Sequence, residues 1–249
     1  MKIVHISDTH GPKAHTKLNI PDCDVLIHSG DIGGRTTLFE LVEFLTWFEK
    51  QPARKKILVA GNHDLILDRK WVHRQKELDW GELQSELAIK EHKEALEVLL
   101  KFDIVYLNNR DYVFEGVKFY GSPISPSFHR KYWAFNADPG KEILAEWAKI
   151  PSDVQVLITH GPVYNILDYV EDRHPEFKGE DLHVGDKDLF EVIKKRLMKL
   201  KLHCCGHIHE NYGVVLRPIS NKRRVLFSNG AILTHQGAQL ITNPLIIEI

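Results

Sequence analysis

Much that would class this chain at a glance is scarce or missing. Three cysteines in 249 residues, an odd count, do not make the disulfide framework of a small secreted domain. No apolar run approaches the roughly 20 residues of a membrane-spanning helix. Met1 leads at once into Ile3, Val4 and Ile6, without the basic stretch, apolar segment and cleavage site of a signal peptide, so a cytoplasmic protein is expected. The formal net charge of −1 gives no global attraction for phosphate backbones, and no basic, aromatic-interleaved tract stands out, which argues against general nucleic-acid binding. Repeats, low-complexity tracts and linkers are absent too, and the length is ordinary for a single α/β domain with a sizeable core.

What is present is a series of short polar fragments, each following an apolar run that reads as a buried strand. Asp8-Thr9-His10 follows Lys2 to Ser7, Gly30-Asp31 follows Val25 to Ser29, and Gly61-Asn62-His63-Asp64 follows Ile57 to Ala60. Thr159-His160-Gly161 follows Val154 to Ile158, and Gly206-His207-Ile208-His209 follows Leu202 to Cys205. Side chains at strand ends converge on the rim of a sheet, where open α/β folds bind ligands. Mixed carboxylate and imidazole donors suit divalent Mn, Fe or Zn better than Mg or Ca. One fragment alone would be a cap or a turn, because Gly-Asp pairs are routine turn residues. Turns do not require histidines in the third and fifth fragments, and the five together point to one dinuclear centre.

The pattern between them alternates. Leu38, Leu41, Val42, Leu45 and Phe48 have helical spacing behind the N-cap candidate Thr37, which predicts a helix to Lys50 and a βαβ unit. A polar helical pattern runs from Leu67 to Leu100 through Leu83, Leu87, Leu96, Leu99 and Leu100. Short strands are expected at Ile104 to Leu107, Tyr112 to Phe114 and Val117 to Tyr120, with Glu115-Gly116 as a hairpin turn. Helices are expected at Lys141 to Ile150 and Asp188 to Leu200, and strands again at Gly213 to Leu216, Arg224 to Phe227 and Leu245 to Ile249. Cys23, Cys204 and Cys205 read as small buried fillers, since neighbouring strand residues face opposite ways.

Asp8 and His10, two apart on what reads as an extended segment, can face the same way. Asp31 is the natural bridge, because a carboxylate has two oxygens for two cations. One division of donors gives Asp8, His10, Asp31 and His209 to one metal, and Asp31, Asn62, His160 and His207 to the other. Two such ions roughly 3.5–4 Å apart can acidify a bridging water and clamp a phosphoryl group. His63 is not needed as a ligand and can donate a proton to a leaving alkoxide, with Asp64 available to orient it. The remaining histidines, His5, His15, His28, His73, His92, His129, His174, His183, His203 and His235, read as ordinary.

The set D-x-H, G-D, G-N-H-D, an isolated His and G-H-x-H resembles the calcineurin-like metallophosphoesterases over nearly the whole chain. The resemblance implies an α/β fold of four layers, two mixed β-sheets packed together and flanked by helices, with two metal ions at one edge. It assigns Asp8, His10, Asp31, Asn62, His160, His207 and His209 as ligands and His63 as the acid. Many members have Gly where Thr159 precedes His160. Asp24 to Asp31, Gly121-Ser122-Pro123, Trp133-Ala134-Phe135-Asn136 and Thr159 to Pro162 look like the metallophosphoesterase-domain-containing group. That likeness implies hydrolysis of small phosphodiesters, cyclic nucleotides included, supported by Mn²⁺ or a similar ion.

Three other readings are weaker. Protein phosphatases carry G-D-x-x-D-R-G, which Gly30 to Thr36 does not match, although Arg35 could meet a phosphate. A DNA exonuclease would want a basic surface. A non-catalytic scaffold would be expected to lose ligands, and none is missing. Ser122 to Asn136 and Tyr164 to His183 are the candidate substrate-recognition segments; Phe128, Tyr132 and Trp133 could stack on a base or simply pack in the core.

Overall fold

The first strand, β1 (Lys2–Ile6), buries residues on both faces, Ile3 in one apolar cluster and Val4 and Ile6 in another. A strand covered on both sides belongs inside a layered α/β fold. The computed structural model describes residues 1–74, 82–128, 132–171, 182–234 and 239–249, with 82–85 described by backbone alone. After β1 come α1 (Pro12–His15), β2 (Cys23–His28), α2 (Leu38–Glu49), β3 (Ala53–Leu58), α3 (Arg69–Arg74), α4 (Glu82–Leu99) and β4 (Val105–Tyr106). Next are β5 (Arg110–Phe114), β6 (Val117–Ser122), β7 (Ser125–Pro126), β8 (Asn136–Ala137), α5 (Lys141–Trp147) and β9 (Val156–Thr159). The chain finishes with α6 (Lys187–Lys195), β10 (Leu202–Cys205), β11 (Gly213–Ser220), β12 (Arg223–Asn229) and β13 (Leu245–Glu248).

Two mixed sheets result, in the orders β13-β1-β2-β3-β4 and β11-β12-β10-β9-β6-β5, beside a small β7-β8 pair. In the first, β1 to β4 are parallel and β13 is antiparallel; in the second, β12, β10, β9 and β6 are parallel with antiparallel strands at both edges. The layer between the sheets is one apolar cluster containing Ile3, Val25, Ile27 and Ile57 from the first and Phe119, Val156, Ile158, Leu202 and Cys204 from the second. The alternate strand residues, among them Leu26, Leu58 and Leu157, share the larger cluster with Leu41, Phe44 and Phe48 of α2, Trp147 of α5 and Ile193 of α6. This is the four-layer arrangement expected, two mixed sheets flanked by helices.

Several local expectations hold closely. Thr37 caps α2 through a capping box with Glu40, and Glu115 and Gly116 both take positive φ between β5 and β6. Others shift. The buried stripe of α2 is Leu41, Phe44, Leu45 and Phe48, and Val42 points outward. Among the described side chains of α4, His92, Ala95 and Leu99 are buried at helical spacing, while Leu87 and Leu96, and Leu100 just past the helix, are exposed. Both α2 and α3 pack on this helix, and the Leu83 side chain lies outside those described. The stretch between α3 and α4 lies outside the described residues. Cys23, Cys204 and Cys205 are buried and free. Among the described residues no helix is long and apolar enough to cross a membrane.

All five polar fragments follow carboxyl ends of parallel strands: β1, β2, β3, β9 and β10. The rim is stitched by main-chain bonds from Ser7 N to the Gly230 carbonyl (2.7 Å), Gly230 N to the Cys205 carbonyl (2.8 Å) and Asp8 N to the Gly30 carbonyl (2.9 Å). These bonds join the ends of both sheets into one edge.

Candidate metal centre

The strand ends do not present their ligands in extended conformation. Asp8, His10, Asp31 and His207 all have positive φ, between 43° and 69°. This region is uncommon for residues other than glycine and clusters at functional sites. Asp8 and His10 thus do meet, but by turning back at the end of β1 rather than by strand alternation. The turns require space. A Cβ on Gly206 would lie 2.1 Å from both Asp8 Oδ2 and Ser7 Oγ, and one on Gly61 would lie 2.3 Å from Asp31 Oδ1. The glycines of these motifs therefore serve close approach of the carboxylates.

Seven sequence-selected donors converge. His10 Nε2 and His209 Nε2 are 3.3 Å apart, and Asp8 Oδ1 is 3.4 Å from His209 Nε2 and 4.0 Å from His10 Nε2. Asp31 Oδ2 is 3.3 Å from His160 Nε2 and 3.8 Å from His10 Nε2, while Asn62 Oδ1 is 2.8 Å from His160 Nε2. Asp8, His10 and His209 form one group of donor atoms within 4.8 Å of one another, and Asp31, His160 and His207 form a second. These groups follow the division drawn from the sequence, with Asp31 in reach of both. His10, Asp31 and His63 make a third group, so the geometry alone would also allow His63 as a ligand.

Electrostatics at the site is that of two buried carboxylates among imidazoles. Burial pushes the Asp31 carboxyl up, yet His160, His63 and His10 outweigh it and hold it well below the usual range. Asp8 is likewise lowered, chiefly by His209 acting against burial. Burial pushes His160 down, but the Asp31 charge lifts it to about 9, and the Asp8 hydrogen bond raises His209 in the same way. His207, with burial dominant, is lowered to about 3 and keeps a neutral imidazole with a free lone pair. This donor set fits divalent transition-metal ions. The cations facing Asp8 and Asp31 are imidazoles whose protons a metal can replace, and donor separations of 2.8–4.0 Å suit bonds of about 2.0–2.2 Å.

Asp64 corrects one expectation. Its carboxylate accepts no bond from His63. Instead it takes Asp31 N (3.0 Å) and Gly61 N (2.7 Å) on one oxygen, and Ile32 N (2.9 Å) and Thr36 Oγ1 (2.5 Å) on the other. It is the hub of two ligand loops. His63 Nδ1 is satisfied 2.5 Å from the Gly34 carbonyl, at the end of the loop that Asp64 organises. A carbonyl only accepts, so Nδ1 carries the hydrogen and Nε2 is left for the cleft.

The cleft, about 390 Å³, is lined by His10, Asp31, Asn62, His63, Phe128, His207, His209 and Leu233. Trp133 lies on the His63 ring with centroids 4.1 Å apart, and Phe128 on His207 at 5.0 Å. Tyr132 is exposed, and Arg35, also exposed, stands 6.0 Å from the Trp133 ring. Three histidines read as ordinary lie directly beneath the rim. His5 bridges Ser228 Oγ (2.7 Å) and Ser29 Oγ (2.9 Å), His28 meets Thr9 Oγ1 (3.2 Å), and His203 meets Thr159 Oγ1 (2.7 Å). The last contact gives the unusual Thr159 a role, since its hydroxyl also donates to the Gly161 carbonyl. Asn229, not singled out from sequence, donates to the Ile208 carbonyl (2.9 Å) and so holds the final motif. No local signal in the sequence marked it.

In the second recognition segment, buried Asp168 accepts from Asn165 N, Gly185 N and His183 Nδ1. Residues 172–181 of that segment, 129–131 of the first, and His129, His174 and His235 lie outside the described residues.

Comparison with known proteins agrees with the motif pattern. The calcineurin-like phosphoesterase family model matches residues 1–211. Metallophosphoesterase domain-containing protein 1 of Homo sapiens is 31% identical over 249 residues, all of this chain and 71% of the relative, and the Mus musculus protein gives the same figures. UPF0046 protein K07C11.7 of Caenorhabditis elegans is 28% identical, again over the whole chain and 75% of the relative.

Proposed function

This chain belongs to the calcineurin-like phosphoesterase family, and we propose that it is a phosphodiesterase acting on small phosphodiesters, cyclic nucleotides among them. The observation that carries the reading is the facing of two donor groups, Asp8-His10-His209 and Asp31-His160-His207, across one cleft with His63 at its edge. In this reading Asp8, His10, Asp31 and His209 hold one divalent ion and Asp31, Asn62, His160 and His207 the other, with Asp31 between them. Manganese is the ion proposed, because oxygen and imidazole donors in this ratio suit it, with iron or zinc as alternatives. When bound, such a pair supplies positive charge for the phosphoryl oxygens and an acidified water.

The chain's own groups do the rest. With its Nδ1–H held by the Gly34 carbonyl, His63 presents Nε2 to the cleft. The doubly protonated ring gives its Nε2 proton to the departing oxygen and is left neutral, a step worth about 10²–10⁴-fold when the leaving group is a poor one. Asp64 ties the loop that carries Asp31 and Gly34 to its own Gly61 turn and so keeps them in register for it. A cleft of about 390 Å³ accommodates a nucleotide-sized molecule. Free, buried cysteines support a cytoplasmic setting, and the near-zero charge supports a small-molecule substrate rather than bulk nucleic acid.

The experiment is a Mn²⁺-supplemented hydrolysis panel of bis-p-nitrophenyl phosphate, p-nitrophenyl phosphate, 2′,3′- and 3′,5′-cyclic nucleotides and single-stranded DNA, with Asp31→Asn as control. Diester or cyclic-nucleotide turnover that vanishes in the variant supports the reading. A preference for the monoester or for DNA replaces it with a phosphatase or a nuclease.

A further inference from the structure

We propose that Trp133 is a positioning residue for His63: with the Gly34 carbonyl, it locks the imidazole so that Nε2 is aimed at the leaving group. The inference rests on the acid role of His63 proposed above. An imidazole at a strand-end turn rotates about χ2 between broad, roughly two-fold minima. Here His63 is a quarter exposed, with a side-chain accessibility of 24%. Three contacts remove that freedom. Nδ1 donates to the Gly34 carbonyl at 2.5 Å, the Trp133 ring covers one side at 4.1 Å with 33° between planes, and His10 meets the ring edge-on at 4.7 Å.

Trp133 is itself held on the frame that carries His63. Ala134 N donates to the Asn62 carbonyl (3.0 Å), Phe135 N to Asp68 Oδ2 (2.7 Å), and Trp71 Nε1 to the Tyr132 carbonyl (3.3 Å). Phe135, two residues after Trp133, takes a φ of 53°, a left-handed turn that those bonds fix in place. The tryptophan is therefore tied by backbone to the residue preceding His63, and its indole is half-buried at the rim. Orientation is worth much in catalysis, and a displacement near 1 Å can cost about 10²-fold.

The test compares Trp133→Ala, Trp133→Phe, His63→Ala and the double variant His63→Ala/Trp133→Ala on a 2′,3′-cyclic nucleotide and on bis-p-nitrophenyl phosphate. Trp133→Ala should lower kcat roughly 10- to 100-fold for the alkoxide-leaving nucleotide and only a few-fold for the nitrophenyl ester. Trp133→Phe should restore most of it, and in the His63→Ala background Trp133→Ala should cost nothing further. A readout independent of turnover is the His63 Nδ1 proton in ¹⁵N-resolved NMR of the zinc-loaded protein. It should be sharp and slowly exchanging in the native protein and in Trp133→Phe, and lost in Trp133→Ala.

Equal loss on both substrates, or an additive double variant, would make Trp133 merely structural and overturn the inference. So would a raised KM confined to nucleotides, which would make the indole a platform for the base. If His63→Ala shows no dependence on leaving group, the acid role itself fails and takes this inference with it. If instead His63→Ala shows that dependence while Trp133→Ala keeps the sharp Nδ1 proton, only the positioning by Trp133 fails.

Discussion

The Nε2 atoms of His10 and His209, contributed from the two ends of the chain, face each other across 3.3 Å at the edge where the sheets meet. Two imidazole lone pairs in that position repel unless a proton or a metal ion lies between them. Asp8, 3.4 Å from His209, adds the negative charge that makes a cation the better occupant.

Divalent ions should accordingly stabilise the fold. At free metal 100 times its Kd, linkage contributes about 2.7 kcal/mol per site. For a chain of this size each kcal/mol moves Tm by about 2–4 °C, so Mn²⁺ should raise the melt of EDTA-treated protein by roughly 5–10 °C per ion. Elemental analysis of the loaded protein should find two metals per chain. A melt indifferent to Mn²⁺, with no metal retained, would show that this edge is not a metal centre.

Asp31→Asn tests the bridge. The amide keeps the shape and can still accept the 2.8 Å bond from His63 N, but it removes the charge shared by His10 and His160. Metal content should fall below two per chain, and activity should fall by more than the ~10–100-fold typical of deleting a ligand's partner. Two metals retained with a near-normal rate would move the bridging role elsewhere.

The pairing of motifs with strand ends was legible because strands and ligands alternate locally: an apolar run ends, and an Asp, Asn or His follows. Histidines in Gly61 to Asp64 and Gly206 to His209 carried the signal, since a turn alone would not select them. What was not legible lies across the fold. Asp64 and Thr36 are 28 residues apart, and nothing local says that the carboxylate serves the Asp31 loop rather than its neighbour His63. His5, His28 and His203 looked ordinary because their serine and threonine partners become neighbours only when the strands pair. The exposed leucines of α4 misled for a similar reason: helical periodicity gives a stripe but not which stripe the neighbours cover.

Gly206→Ala should separate the two donor groups. The added Cβ would fall 2.1 Å from Asp8 Oδ2, displacing the carboxylate that accepts His207 N at about 3.0 Å. Overpacking of this kind costs about 1–3 kcal/mol, read as a lower urea midpoint. The Asp8-His10-His209 group should lose its ion first, taking metal content from two toward one. Unchanged stoichiometry would mean that the rim yields without moving Asp8.

Acid should unfold the metal-free protein early. His5, His28 and His203 are fully buried, and burial, aided at His5 by His203, lowers each to about 3. In the unfolded chain they return to about 6.5. Above that value both states are neutral and the three contribute nothing. As pH falls from about 6.5 toward 3 the unfolded state takes up protons that the fold refuses, so each removes up to about 1.4 kcal/mol per pH unit. His160, raised to about 9, acts on the other limb: its contribution is complete below about 6.5 and fades as pH rises through 9. Burial lowers His207 to about 3 and His15 to about 4, which adds to this loss, while Asp64, raised by burial to about 6, opposes it. The net slope is that of about four groups, roughly 5.5 kcal/mol per pH unit, against a total stability of about 5–15 kcal/mol. Chelated protein should therefore unfold between about pH 4 and pH 5.5, with urea midpoints falling steeply from pH 6.5 to 5.5. His203→Gln should flatten the slope by about a quarter, because Thr159 gives its hydroxyl hydrogen to Gly161 and needs only a donor, which the amide supplies. A midpoint that does not move over that interval would mean that these imidazoles are protonated in the folded protein, and that the floor beneath the metal edge is wetter than its burial implies.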